Sequence, residues 1–183
     1  MLADFLTPFV VVGLAELGDK TQLALVLLAS KTRKRMHMLA GAFLGFLIVD
    51  GISVLLGSWI ASLLSMHFLK AVSGMVFIFF GLLMLHSSRN QKETRMFSEN
   101  PFTAALLLIS LTEWGDKTQI ATGLFATQYN PLLVLAGVLS SLTILSFFAV
   151  FLGSGLTEKI DDRKAGMAGG VIFLVMGVAT LLL

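Results

Sequence analysis

Apolar residues in this chain follow neither the period of a surface helix nor the alternation of a half-buried strand. They continue for about twenty residues at a stretch and then give way to short polar clusters. Six such runs, Phe5–Ser30, Met38–Leu64, Phe68–Ser87, Phe102–Thr127, Leu132–Leu156 and Ala165–Leu183, predict six membrane-spanning helices. A helix needs roughly 20 residues to cross a hydrocarbon core of about 30 Å, and the runs meet that length. The first and fourth are interrupted near their middles by charge. Glu16–Ala24 reads ELGDKTQLA and Glu113–Ala121 reads EWGDKTQIA, each setting a glutamate, an aspartate and a lysine among residues that belong in oil.

The two motifs lie 97 residues apart, and the sequence beyond them repeats at an offset of 96. Ala40-Gly41 matches Ala136-Gly137, Leu56-Gly57-Ser58 matches Leu152-Gly153-Ser154, and Gly74, Phe77 and Gly81 match Gly170, Phe173 and Gly177. Each half holds three spans, so the second must enter the membrane from the side opposite the first. The expected fold is an all-α integral membrane protein of six transmembrane helices in two inverted three-helix repeats, residues 1–87 and 101–183, joined by a polar cytoplasmic linker at 88–100. That linker also has the composition of a short surface helix. Inverted repeats are related by a pseudo-two-fold axis in the membrane plane, with substrate sites at the midplane where the halves meet. Glu16 lies twelve residues beyond Asp4 and Asp19 twelve before Lys31, about 18 Å each way along a helix, which places the motif near the bilayer centre. Duplication alone explains two copies. It does not explain six ionisable groups at a depth where each costs several kcal/mol unless paired.

Composition sharpens this picture. Hydrophobic residues are 56% of the 183 and charged ones 13%, and the mean hydropathy of +0.90 excludes a soluble domain. The net charge of +2 does not point to nucleic acid, because ten of the thirteen basic residues sit in three loops on one side. Those loops follow the first, third and fifth spans, so that side is expected to be cytoplasmic and both termini non-cytoplasmic. There is no cysteine, hence no disulfide and no thiolate ligand. No basic segment precedes the first run, which therefore reads as the first helix of the mature chain rather than a cleaved signal peptide.

On an unbroken helix, Glu16, Asp19 and Lys20 fall within an arc of about 100° with Gln22 beside Asp19, and Glu113, Asp116, Lys117 and Gln119 do the same. Gly18 and Gly115 between the carboxylates permit close approach of an ion or backbone, or local opening of the helix. Thr21 and Thr118 lie off that face, and either bond the carbonyl four residues back or join the site if the helix unwinds. Four carboxylates and two lysines leave a formal charge of −2, which one divalent cation or two protons would balance. A site that accepts either is the core of a cation/proton antiporter. Oxygen-only ligands suit Ca²⁺, Mg²⁺ and Mn²⁺, while the lack of cysteine and of mid-span histidine disfavours Zn²⁺ and Cu⁺. The expected metal ligands are Glu16, Asp19, Gln22, Glu113, Asp116 and Gln119, supported by Lys20, Thr21, Lys117 and Thr118. If each Asp–Lys pair were only a structural salt bridge, Glu16 and Glu113 would be left without partners.

Outside the motifs, Asp50 in the second span has Ser146 as its counterpart, so it breaks the symmetry as an extra ligand or proton relay, or else pairs with Lys20 or caps a local break. His37, His67 and His86 sit near span ends, where interfacial water accounts for them. The pairs Gly41 with Gly45 and Gly166 with Gly170 are small-xxx-small packing motifs, and Gly74 with Gly81 and Gly170 with Gly177 suggest close approach of the third and sixth spans to a neighbour.

Two copies of Glu-x-Gly-Asp-Lys-Thr, Glu16 to Thr21 and Glu113 to Thr118, in a duplicated six-span chain resemble the transmembrane-protein-165-like family, long catalogued as uncharacterised. The resemblance spans essentially the whole chain. It implies secondary transport of Mn²⁺ and Ca²⁺, with proton exchange in Golgi members and manganese export in bacterial ones, and it makes Glu16, Asp19, Glu113 and Asp116 cation ligands. The short chain with minimal loops looks like a bacterial member exporting Mn²⁺ across the inner (plasma) membrane. The expectation is an alternating-access exchanger, not an enzyme, with no resident cofactor. Its partners are divalent ions, protons and the bilayer, and a homodimer is allowed. Rival readings are an exporter of small organic solutes such as basic amino acids, a membrane-embedded Mg²⁺-dependent enzyme, whose acids here would lie too deep for a headgroup, and a passive channel.

Overall fold

The computed structural model describes residues 1–30, 32–86, 100–156 and 162–182. Among them are eight α-helices and no strand: α1 (Leu2–Glu16), α2 (Lys20–Ser30), α3 (Arg35–Leu63), α4 (Met66–His86), α5 (Pro101–Thr112), α6 (Lys117–Gln128), α7 (Pro131–Leu156) and α8 (Asp162–Leu182). Nearly all of the 88–100 linker lies outside the described residues. Three helices are long and apolar enough to cross a membrane, over Arg35–Leu63, Met66–Leu83 and Pro131–Leu152. The first and fourth apolar runs, read above as unbroken, are each two shorter helices that separate at the charged motifs. Local signals set the remaining ends. Asn100 accepts the Phe102 N–H at 3.0 Å with Pro101 opening α5, and Asn130 accepts the Leu132 N–H at 3.1 Å just ahead of α7.

Glycines let the helices approach backbone to backbone, and the approaches are reciprocal. A Cβ on Gly41 of α3 would strike the Phe102 carbonyl of α5, and one on Gly137 of α7 would strike the Phe5 carbonyl of α1. Gly74 meets the Gly177 carbonyl and Gly177 that of Gly74, while Gly81 and Gly170 face each other in the same way along α4 and α8. Every one of these pairs maps onto its counterpart when one half of the sequence is exchanged for the other. Between them, the buried rings of Phe77, Phe125 and Phe173 pack with centroids 5.1 and 5.7 Å from Phe77. Lipid is as apolar as leucine, so helices here associate through this close packing rather than by expelling water. The outer surface is apolar: Leu55, Trp59, Phe79, Leu111, Leu132 and Val175 are each more than half exposed. His37, His67 and His86 are exposed as well. This is a multi-pass membrane protein.

Gly41→Val and Gly137→Val should each lower stability by about 1–3 kcal/mol, the usual range for overpacking, because backbone cannot yield as a flexible side chain does. Gly51→Ala, whose added methyl meets nothing within 4 Å, should be silent. Thermal unfolding of the detergent-solubilised variants checks both.

Candidate functional site

Each helix break is a turn spelled by the motif itself. Glu16 closes α1, its carbonyl accepts the Asp19 N–H at 3.0 Å, Leu17 has φ −59° and ψ 117°, and Gly18 has φ 71°. Those are the angles of a type II turn, which requires positive φ at its third residue and so favours glycine. The second copy repeats it, with Asp116 N–H to the Glu113 carbonyl at 3.1 Å and Gly115 at φ 77°. Asp116 then stands at the N-cap of α6, and the Asp19 carbonyl accepts N–H groups from the first turn of α2, those of Gln22 and Leu23. The shared-face geometry of a continuous helix is thus replaced by a turn that ends one helix on a glutamate and starts the next on an aspartate. Carbonyl ends of α1 and α5 and amide ends of α2 and α6 meet at the motifs, presenting both signs of helix dipole to an ion. Gly115→Ala, with a left-handed backbone to maintain, should cost about 1–2 kcal/mol, and Gly115→Asn less, measured as a shift in melting temperature.

The motifs interlock. Lys117 of the second copy places its ammonium 2.8 Å from Glu16 Oε1, 2.5 Å from Asp19 Oδ2 and 3.1 Å from Asp116 Oδ2. In return, the Thr21 hydroxyl of the first copy donates to Glu113 Oε1 at 2.5 Å, and Thr118 donates to Glu113 Oε2 at 3.3 Å. Glu16, Glu113, Thr21 and Thr118 are buried almost completely. Glu16, Asp19 and Asp116 each offer a carboxylate oxygen within 4.8 Å of the others. Both threonines, off the face of an intact helix, enter the site because the helix is broken. Neither glutamate is left without partners.

The two glutamines differ. Gln119 Oε1 accepts the Gly115 N–H at 2.6 Å and its Nε2 donates to the Val49 carbonyl at 3.4 Å, so it straps the second break to α3. Gln22 is buried with neither amide atom hydrogen-bonded. Asp50 is buried on α3 and lies outside the three-carboxylate group; Thr122 Oγ1 stands 2.9 Å from its Oδ1 and 2.9 Å from the Thr118 carbonyl. Ser146, the counterpart of Asp50, is buried with its hydroxyl unpartnered. The side chain of Lys20 lies outside the described residues, and with it the expected Lys20–Asp50 pairing. Sequence reasoning missed Thr122 and the Val49 carbonyl. Thr122 was findable as the residue one helical turn beyond Thr118; a backbone acceptor on another helix leaves no trace in composition.

Apolar helices broken at a buried, mixed-charge cluster, with an outer surface made for lipid, are the construction of a membrane protein that carries ions. Comparison with known proteins gives the family. Residues 4–92 and 101–183 match the family described as "Divalent cation/proton antiporter GDT1", and the chain belongs to it. It is 33% identical over 171 residues to a Vibrio cholerae protein named "Putative manganese exporter", covering 92% of this chain and 86% of the relative. It is 28% identical over 193 residues to rice "GDT1-like protein 3", covering 91% and 69%, and 27% identical over 221 residues to Arabidopsis thaliana "GDT1-like protein 5", covering 100% and 96%. No solved structure matches. The protein is a transporter rather than an enzyme, and divalent cations and protons are the species its family moves.

Proposed function

We propose that the protein exports divalent cations from the cytoplasm in exchange for protons, Mn²⁺ favoured and Ca²⁺ accepted, by alternating access of two inverted three-helix repeats around the motif cluster. The carrying observation is that Glu16 and Asp19 from one half and Asp116 from the other bring oxygens within 4.8 Å. Opposed oxygens around a hard cation with bonds of about 2.3–2.4 Å stand about 4.7 Å apart. Gln22, buried and unpartnered, offers a neutral oxygen to the same ion. Glu113 and Gln119 already hold Thr21, Thr118, Gly115 and Val49, so we assign them to holding the cage. The reciprocal glycine contacts support a two-fold relation between halves, the basic loops support an inner-membrane orientation with both termini outside, and the name of the Vibrio relative supports manganese. The metal is cargo, with no resident cofactor.

Asp50 is assigned to the proton. A hydroxyl has one hydrogen, so Thr122 can donate either to Asp50 or to the Thr118 carbonyl; a proton on Asp50 allows both contacts to be hydrogen bonds at once.

Proteoliposomes carrying the purified protein and a pH dye decide the reading. Mn²⁺ and Ca²⁺ should each release protons, and an imposed proton gradient should drive Mn²⁺ uphill. Metal flux without proton movement would mean a channel, and arginine competing with Mn²⁺ would mean an organic-solute exporter.

A further inference from the structure

We infer that Lys117 is a tethered counter-cation: its ammonium occupies the place of the transported ion and must leave before a divalent cation can bind. This rests on the reading of the cluster as the ion site. The same three carboxylates that could hold a metal are the three that Lys117 touches, at 2.8, 2.5 and 3.1 Å. Two of them come from the other half of the chain. An ordinary salt bridge has one carboxylate; a side chain ligated by three, all of them largely buried, is coordinated as an ion would be. The amine keeps its charge throughout. What changes is its position, since an ammonium and a divalent ion cannot share one set of oxygens without severe like-charge repulsion.

The chain also holds a place for the displaced amine. Glu113 stands four residues before Lys117, across the turn that its own carbonyl closes, and among the described side chains its hydrogen bonds are to two neutral hydroxyls, Thr21 and Thr118. Lys117 sits at the first residue of α6, directly after the type II turn at Glu113–Asp116, so moving the amine from the triad toward Glu113 pulls on the turn that joins α5 to α6. Ion binding and helix rearrangement are thereby linked through one side chain. Without metal, the lysine offsets one of the cage's three negative charges, so the metal-free carrier reorients only while its own lysine fills the cage.

The test is direct Mn²⁺ binding to the purified full-length protein in detergent, followed by the electron paramagnetic resonance signal of free Mn²⁺. Lys117→Met removes the internal competitor and should tighten binding by about tenfold or more, while reorientation of the empty carrier, read as metal-free return in proteoliposomes, is lost. Lys117→Arg keeps the charge but grips carboxylates with a planar fork of five donors, so it should weaken Mn²⁺ binding. A folded Lys117→Met protein that binds Mn²⁺ no more tightly than wild type overturns the inference. Should that variant not fold, Lys117→Arg decides: unchanged or tighter binding overturns it, weaker binding supports it. A wild-type protein that binds neither Mn²⁺ nor Ca²⁺ would instead remove the ion-site reading, and this inference with it.

Discussion

Asp19→Asn and Asp116→Asn are each expected to abolish Mn²⁺-dependent proton release, by at least about a hundredfold, while the protein still folds. Asparagine keeps the shape of aspartate and one acceptor oxygen but removes the negative charge that balances a divalent ion. Even outer-shell changes at metal sites typically cost 10–100-fold, so loss of a charged ligand should cost more. The fold should survive because Lys117 touches three carboxylates and retains two in either variant. The turn hydrogen bonds that shape each break are made by backbone atoms and are untouched. The two variants should fail alike, because Asp19 and Asp116 come from opposite halves and face the same ammonium. Uptake assays beside melting curves settle the matter: full transport in both variants would remove the two aspartates from the site, and a failure traced to unfolding would make them structural.

Much of this site was legible in the sequence, and the reasons are particular. Hydropathy gave the runs, because lipid imposes a length on every helix that crosses it. The offset of 96 paired Gly41 with Gly137 and Gly74 with Gly170, and the structure makes those residues points of close helix approach. The convergence of the motifs followed from the depth of the acids and their duplication. What the periodicity concealed was the break. Glu16 to Asp19 fits a helical face by angle, yet Glu-x-Gly-Asp is equally the sequence of a type II turn with its glycine at the required place, and the turn prevails. That choice moved Thr21 and Thr118 into the site. It also made Lys117 reach the first half rather than pair only with its own neighbour Asp116, something no spacing within a motif could reveal. The differing fates of Gln22 and Gln119 were hidden for a related reason: the sequences around them are almost the same, and only the conformation distinguishes them.

Asp50→Asn should separate metal binding from proton coupling. Asparagine places an N–H₂ where the proposed proton would sit, so it can donate to Thr122 while Thr122 donates to the Thr118 carbonyl, and the local packing of α3 on α6 is preserved. The three-carboxylate group does not include Asp50, so Mn²⁺ affinity should fall far less than in Asp19→Asn. Uphill Mn²⁺ movement driven by a proton gradient should fall by about a hundredfold, the lower end of the usual range for losing a positioned acid or base. Thr122→Val should lie between the two, since it leaves the acid but removes its hydroxyl partner. If Asp50→Asn instead weakens Mn²⁺ binding as strongly as Asp19→Asn does, Asp50 is a ligand and the cage extends to α3. If proton-driven transport is untouched, the buried acid on α3 has no part in coupling, and both ions must then be exchanged on the motif carboxylates alone.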